Sequence, residues 1–97
     1  MATTNEYKDY ILERINLLDN IKTRPMMNEY LLYLDDTLFG GIYDNRLLVK
    51  ITNTNIKYNM KENIPYEGAK PMYLVDNLDN KEKLKEIIID TCKGLKK

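Results

Sequence analysis

The sequence predicts an α+β fold with two layers, in which helices cover one face of an antiparallel sheet of about five strands. Apolar residues recur at helical spacing near both ends of the chain, and short alternating segments typical of strands follow one another between them. The connections between those segments are too short for parallel strands. With 97 residues the chain has the length of one domain, so we expect residues 1–97 to share one core.

The first element is predicted to be a helix over residues 4–20. Thr3 and Glu6 have the spacing of a capping box, in which a threonine and a glutamate satisfy free amide groups at a helix start. The apolar positions that follow lie three or four residues apart, as on one face of an amphipathic helix. They are Tyr7, Ile11, Leu12, Ile15 and Leu18.

Three strands are predicted next, at residues 29–34, 37–43 and 46–51, because apolar side chains alternate along each segment. The dipeptides between them, Asp35-Asp36 and Asp44-Asn45, suit tight turns, since Asp and Asn tolerate positive φ angles. Such short connections make neighbouring strands antiparallel, so the three strands form a meander.

Proline and glycine mark two special places in this sheet. Pro25 cannot donate a hydrogen bond to a neighbouring strand, so residues 23–27 are predicted to form at most an edge strand. Gly40 and Gly41 lie inside the second strand of the meander, where the missing side chains weaken a strand unless they are needed. We expect a β-bulge there, or a helix packed close to the backbone.

Residues 52–65 allow two interpretations. The polar run from Thr52 to Asn55 can cap a short middle helix that continues to Met60, and we favour this interpretation. The apolar residues at positions 56, 58 and 60 also alternate as they would in a strand.

A loop over residues 66–71 leads to a further strand at residues 72–76, and a final helix follows. Asp79 and Glu82 imitate a capping box at the start of this helix, and Gly94 suits its end. The apolar stripe that we expect to face the sheet consists of Leu84, Ile87, Ile88, Cys92 and Leu95.

Charge and composition argue against several classes of protein. Fifteen basic and fifteen acidic residues balance, so the chain lacks the positive excess with which most nucleic-acid-binding domains attract their ligand. Histidine is absent and Cys92 is the only cysteine, which excludes a disulfide within the chain and a zinc site. The first residues show neither a basic start nor an apolar run, so we expect no signal peptide, no membrane association and a cytoplasmic location.

No group of residues has the pattern of a catalytic or cofactor site. Cys92 lies on the predicted apolar stripe and has no histidine to activate it, so we expect it to fill the core. Asp35 and Asp36 fall in a predicted exposed turn, where turn formation explains them. Gly40-Gly41 lacks the Lys-Ser/Thr pair of a phosphate-binding loop. We therefore expect a protein that is not an enzyme and holds no metal or cofactor.

Three blocks of sequence resemble the N-terminal domain of the TfoX (Sxy) family of competence regulators. Residues 24–33 resemble its opening motif, an Arg-x-Met run followed by a tyrosine-rich strand. Residues 39–50 resemble the strand pair that comes next, and residues 65–72 resemble its later loop and strand. The blocks agree in order and spacing from Thr4 to Leu95. The resemblance implies a two-layer domain of one antiparallel sheet and helices, and it implies a role in DNA uptake or transcription for the longer members of the family.

The sequence departs from this family's pattern in two ways. Asn28 stands where the family usually has glycine, and because asparagine readily adopts positive φ angles we expect the tight turn to be kept. Longer members carry a further C-terminal domain of helix-hairpin-helix character, which the sequence does not include. We therefore expect a stand-alone N-terminal domain of the TfoX type.

The function we expect is that of a non-enzymatic interaction domain of this type, which acts on a protein partner or forms a homodimer. The candidate interaction residues are Arg24, Met26 and Met27 of the first block and Tyr66, Glu67, Gly68 and Lys70 of the last. The residues expected to shape the backbone are Asn28, Gly40, Gly41 and Pro71. Met26 and Met27 adjoin the edge strand, which is open to pairing. We also expect an ion pair between Arg24 and Glu67.

Two alternative functions stay open. The chain has eight tyrosines, which together with basic residues can form a stacking surface, as in nucleic-acid-binding modules. The basic residues in question are Arg24, Arg46, Lys50, Lys57 and Lys70. The balanced charge places this alternative second, and a DNA or RNA titration across salt concentrations tests it. The glycine turn beside Lys70 can hold an anion, so a small-ligand-binding domain is the other alternative.

Overall fold

The computed structural model describes residues 2–95, which form one antiparallel sheet of six strands, two α-helices and one 3₁₀ turn. The helices are α1 (Asn5–Arg14) and α2 (Lys81–Leu95), and the 3₁₀ turn is Ile56–Tyr58. The strands are β1 (Ile21–Met26), β2 (Glu29–Leu34), β3 (Thr37–Ile42), β4 (Leu47–Val49), β5 (Lys61–Asn63) and β6 (Met72–Leu74). The α+β class and the helix near each end are confirmed, with one strand more than the predicted five or so.

The strand order across the sheet is β1-β2-β3-β4-β6-β5, so β6 lies between two strands that precede it in the sequence. The meander β2–β3–β4 is confirmed, and β1 is an edge strand as predicted. β5 forms the opposite edge and pairs only with β6 among the described residues. None of the helices in residues 2–95 has the length and apolar character needed to cross a membrane.

One core lies between the two helices and one face of the sheet. Its buried members are Ile11, Ile15, Leu32, Phe39, Ile42, Leu47, Val49, Val75, Leu84, Ile87, Ile88 and Cys92. The apolar stripes predicted for both helices therefore face the sheet, with Leu95 at the margin of the core. Cys92 fills the core as predicted, because it is only 4% exposed.

Helix α1 begins one residue later and ends earlier than the sequence predicts. Thr4, not Thr3, caps it: Thr4 Oγ1 accepts a hydrogen bond of 3.1 Å from the Tyr7 amide. Thr3 is drawn into the protein instead, where its hydroxyl donates to Glu29 Oε1 at 2.7 Å. The chain leaves the helix after Arg14 through two tighter turns, although Ile15 still packs in the core.

The start of α2 also differs by one residue from the prediction. Asn80 Oδ1 accepts a 3.1 Å hydrogen bond from the Lys83 amide, so Asn80 rather than Asp79 is the cap. The carbonyl of Asp79 accepts a bond from Arg14 Nη2 at 2.8 Å, which ties it to α1. Gly94 lies within the last turn of α2, where a Cβ atom would come within 2.6 Å of Thr52 Cβ. Close packing, rather than a helix stop, explains this glycine.

Three two-residue turns join the first four strands. They are Met27-Asn28, Asp35-Asp36 and Asp44-Asn45, and all six residues have positive φ angles between 49° and 70°. Positive φ at both central positions is the mark of type I′ turns, whose twist matches that of paired strands. The two turns predicted from Asp and Asn are confirmed, and Asn28 (φ 70°) keeps the tight turn that a glycine would form.

Met27 is the unusual residue among these turns, because a long side chain adopts a positive φ only at a cost of about 1–2 kcal/mol. Its φ is 50° and its side chain is 89% exposed, so no packing offsets this cost. We expect Met27→Asn to raise the free energy of unfolding by about 1 kcal/mol, measured by urea denaturation. Met27→Ala keeps the unfavourable φ and is the control; an equal gain in both variants would contradict the explanation.

The two glycines of β3 lie at a β-bulge, as predicted. Leu32 pairs with Gly40 but Tyr33 pairs with Leu38, so one extra residue interrupts the register of β3. A Cβ atom on Gly40 would lie 2.8 Å from the Cα atom of Val49 and closer still to the backbone of Leu48. The strand β4, not a helix, is therefore the neighbour that requires glycine here.

For residues 52–65 the helix interpretation is partly confirmed, whereas the strand interpretation is wrong, because none of residues 56, 58 and 60 lies in a strand. Only Ile56–Tyr58 forms a helical turn, which ends at Asn59 with φ 56°, before the predicted end at Met60. Residues Lys61–Asn63 then form the short strand β5, which the sequence analysis did not assign as a separate strand. Asn55 determines this geometry: it is fully buried and its amide nitrogen donates to the Lys50 carbonyl at 2.8 Å.

Candidate functional site

An open groove of about 660 Å³ lies between the sheet face opposite the helices and the loop that joins β5 to β6. Its sides include Lys50 and Ile51, which follow β4, and Pro65, Tyr66 and Lys70 of the loop. The volume falls within the range of about 300–1,000 Å³ that is usual for ligand sites in proteins. We call this the loop groove.

The sheet face that does not contact the helices supports the loop groove. Leu48 is fully buried although it lies outside the core between the helices and the sheet, and its neighbours Leu47 and Val49 belong to that core. Because side chains alternate along a strand, Leu48 faces the opposite side. Tyr43 is also buried there, and its ring centroid lies 6.1 Å from that of Tyr66.

Arg46 fastens the loop to the sheet. Its Nε donates to the Tyr43 carbonyl at 3.2 Å, and its Nη1 donates to Asn63 Oδ1 at 3.1 Å. Nη1 and Nη2 also donate, each at 3.3 Å, to the carbonyl oxygens of Ile64 and Pro65. From the sequence, Arg46 was predicted only to lie in a strand or to contact nucleic acid, because no local pattern reveals which distant carbonyl groups an arginine reaches.

The lining of the loop groove is apolar, aromatic and basic. Leu38, Ile51, Pro65, Pro71 and Met72 provide the apolar surface, Tyr43 and Tyr66 the aromatic surface, and Lys50 and Lys70 the charge. No lining residue is acidic. Burial is the main cause that raises the pKa of Tyr43, so its phenol is neutral near pH 7.

The last block of predicted site residues forms this groove. Tyr66, Lys70 and Pro71 line it, and Gly68 lies at the exposed turn of the same loop with φ 86°. Glu67 is exposed beside Gly68 and does not line the groove.

The first block of predicted residues lies elsewhere. Arg24 and Met26 belong to β1, at the opposite edge of the sheet, and Met27 forms the turn after it. The predicted ion pair between Arg24 and Glu67 is wrong, because no ion pair of residues 2–95 joins them. The reason is topological, since three strands separate β1 from the strand β6 that follows the loop.

A second polar cluster joins the 3₁₀ turn to α2. Tyr58 Oη donates to Asp90 Oδ2 at 2.5 Å, and the same carboxylate oxygen lies 3.1 Å from Lys57 Nζ. The hydrogen bond from Tyr58 is the main cause that lowers the pKa of Asp90. Desolvation, followed by the bond to Asp90, raises the pKa of Tyr58. These contacts hold the 3₁₀ turn against α2. Within residues 2–95, no group of three or more acidic or cysteine residues has metal-binding geometry.

The titration of Tyr58 makes stability depend on alkaline pH. Its folded pKa is raised above 10.0, so the neutral phenol contributes stability that is complete below that pH and is lost as the pH rises through the folded pKa. We expect the free energy of unfolding to fall above about pH 10, and less steeply in Tyr58→Phe. Urea denaturation of both proteins at neutral and alkaline pH measures this, with Tyr10→Phe as the exposed control. A fall of the same steepness in Tyr58→Phe would contradict the assignment.

Fold and groove together define a small α+β protein built on one six-stranded antiparallel sheet. No family model matches the chain. It is 30% identical over 80 residues to a protein of Spirochaeta aurantia described as "Uncharacterized 12.7 kDa protein in trpE 5′ region". The match covers 80% of this chain and 70% of that protein. The chain therefore belongs to the same family as the Spirochaeta aurantia protein.

Proposed function

We propose that the protein is a cytoplasmic, non-enzymatic interaction domain that binds a partner protein through the loop groove. The observation that carries this proposal is the groove itself, an open site bordered by exposed apolar and aromatic side chains. Tyrosine and methionine, which are enriched in protein interfaces, both line it.

The edge strand β1 is less suited to receive a partner. The turn Met27-Asn28 makes Met26 and Glu29 the hydrogen-bonded pair that closes the hairpin. Because hydrogen-bonded and non-hydrogen-bonded pairs alternate along β1, the backbone nitrogen of Pro25 points away from β2, toward the open edge of the sheet. An added strand would need an N–H donor on that open side, and proline has none. A proline at this place protects a sheet edge against pairing.

A regulatory role of the TfoX type is part of the proposal. The three blocks that resemble that family's N-terminal domain build the β1–β2 hairpin, the β3–β4 pair and the wall of the loop groove. A domain of this kind, without enzymatic activity, would regulate competence or transcription through the protein it binds. Because fold alone does not determine function, the identity of the partner would show whether the protein regulates competence or transcription.

Affinity capture tests the proposed function. Tagged wild-type protein and Tyr66→Ala are used to capture proteins from the native cell, with Met27→Ala as a control outside the groove. We expect a partner that the wild type and Met27→Ala retain equally and that Tyr66→Ala retains about tenfold less, because aromatic anchors dominate binding energy. Equal retention by Tyr66→Ala would reject the loop groove as the site. Sedimentation of the purified protein shows whether a second copy is the partner.

A small-ligand-binding function is the second candidate, favoured by the volume of the groove. A thermal-shift screen with common metabolites separates it from protein binding. A metabolite that raises the melting temperature of the wild type but not of Tyr66→Ala would favour this function.

A further inference from the structure

The loop groove carries positive charge that the rest of the protein does not neutralise. Lys50 and Lys70 line it, and neither ammonium group forms an ion pair with the described residues. Five other lysines do pair with carboxylates: Lys8, Lys22, Lys57, Lys81 and Lys93. Lys61, Lys83 and Lys85 also form no ion pair within residues 2–95, so the groove is distinguished by two lysines in a lining that contains no acidic residue.

Exposed apolar side chains surround the same place. Of the seven large hydrophobic residues that are exposed among residues 2–95, Ile51 and Tyr66 line the groove and Ile64 precedes its lining residue Pro65. Their exposed fractions are 39%, 53% and 54%. Clustered apolar side chains at the rim of a groove are typical of protein interaction sites.

The two lysines and the exposed apolar rim together favour one kind of ligand. A small inorganic anion would satisfy the lysines but leave the apolar rim in water, and an apolar segment alone would leave the lysines without a counter-charge. A protein segment that carries carboxylates beside an apolar side chain satisfies both. The phenol of Tyr43, neutral near pH 7, adds no negative charge that would repel such a segment.

The geometry points to an acidic segment of the partner protein as the ligand of the loop groove, a conclusion that rests on the proposed function. Its Asp or Glu side chains pair with Lys50 and Lys70, and an apolar side chain between them packs against Ile51 and Tyr66. The lysines thus determine which partner is accepted, and the apolar contacts provide most of the affinity.

Selection from a phage-displayed library of random dodecapeptides on the wild-type protein tests this. We expect enriched peptides to place Asp or Glu next to Leu, Phe or Tyr. Fluorescence polarisation of such a peptide should show about tenfold weaker binding to the double variant Lys50→Glu/Lys70→Glu, and weaker binding of the wild type at high salt. The control Lys85→Glu makes the same kind of charge change on α2, across the sheet from the groove, and should alter affinity less than about twofold.

The outcomes separate the two proposals. Enriched peptides that are neutral or basic, and that Tyr66→Ala fails to bind, would overturn the acidic segment but support the groove as a protein site. Selection that yields no peptide sensitive to Tyr66→Ala would overturn both. If the double charge reversal disturbs folding, as seen by circular dichroism, Lys50→Gln/Lys70→Gln replaces it, and unchanged binding of acidic peptides by that variant would reject the inference.

Discussion

Gly40→Ala is expected to lower the free energy of unfolding by about 3 kcal/mol or more, because the added methyl group has no space. It would lie 2.8 Å from the Cα atom of Val49 and nearer still to the carbonyl oxygen of Leu48. Both atoms are backbone atoms of β4, so no side chain can rotate away and the bulge itself must shift. The midpoint of urea denaturation measures the loss.

Gly68→Ala is the matched control for this prediction. Gly68 has a positive φ of 86°, which disfavours alanine, but a Cβ atom there would meet nothing within 4 Å. We expect a loss of only about 1 kcal/mol, from the backbone conformation alone. Equal losses at Gly40 and Gly68 would show that conformation, and not the contact with β4, explains the glycine in β3.

Asn55→Leu is expected to cost about 3 kcal/mol, because it removes three hydrogen bonds from a fully buried site and leaves the Lys50 carbonyl and the Thr52 amide without this partner. Asn55 Nδ2 donates to the Lys50 carbonyl and to Thr91 Oγ1, both at 2.8 Å. Its Oδ1 accepts from the Thr52 amide at 3.0 Å. Leucine has the same branched arrangement of side-chain heavy atoms, so the substitution removes the hydrogen bonds without leaving a cavity.

Asn53→Leu provides the comparison within the same segment. Asn53 is exposed, and its replacement should change the free energy of unfolding by no more than about 0.5 kcal/mol. Thermal or urea denaturation of the two variants gives the difference directly. If Asn55→Leu were as stable as Asn53→Leu, the Asn55 bonds to the Lys50 carbonyl and to Thr91 would not be what fixes residues 52–58 against α2.

Short-range patterns explain why much of the fold was predictable. The type I′ turns at Asp35-Asp36 and Asp44-Asn45 are formed by the residues themselves, since few others accept two successive positive φ angles. Strand β2 and the apolar stripe of α2 likewise follow from alternation and helical spacing within one segment. Each of these features depends on neighbours in the chain.

The helix starts show where local patterns fail. Thr3 and Thr4 are both able to cap a helix, and so are Asp79 and Asn80. In each pair a contact with a distant residue engages the first candidate, so that the second becomes the cap. Thr3 donates to Glu29, and the carbonyl of Asp79 accepts from Arg14. The sequence holds no local signal for these contacts, so each helix start was predicted one residue too early.

The loop groove was outside the reach of sequence analysis, although Tyr66 and Lys70 were selected as candidates. The groove exists because residues 64–71 fold over the sheet face that is opposite the helices, and because β6 inserts between β4 and β5. Strand β5 carries no apolar side chain among Lys61, Glu62 and Asn63, so the usual strand pattern is absent. Only the pairing of β5 with the distant strand β6 determines where β5 lies in the sheet.

The four hydrogen bonds from Arg46 have a thermodynamic consequence for recognition. They form within the protein itself, so the wall of the proposed binding surface already has a defined shape in the unbound protein. Ordering a mobile side chain during association costs about 0.5–1.5 kcal/mol, and a preorganised wall avoids much of that entropy loss. We therefore expect the proposed partner segment to associate without a rearrangement of the loop.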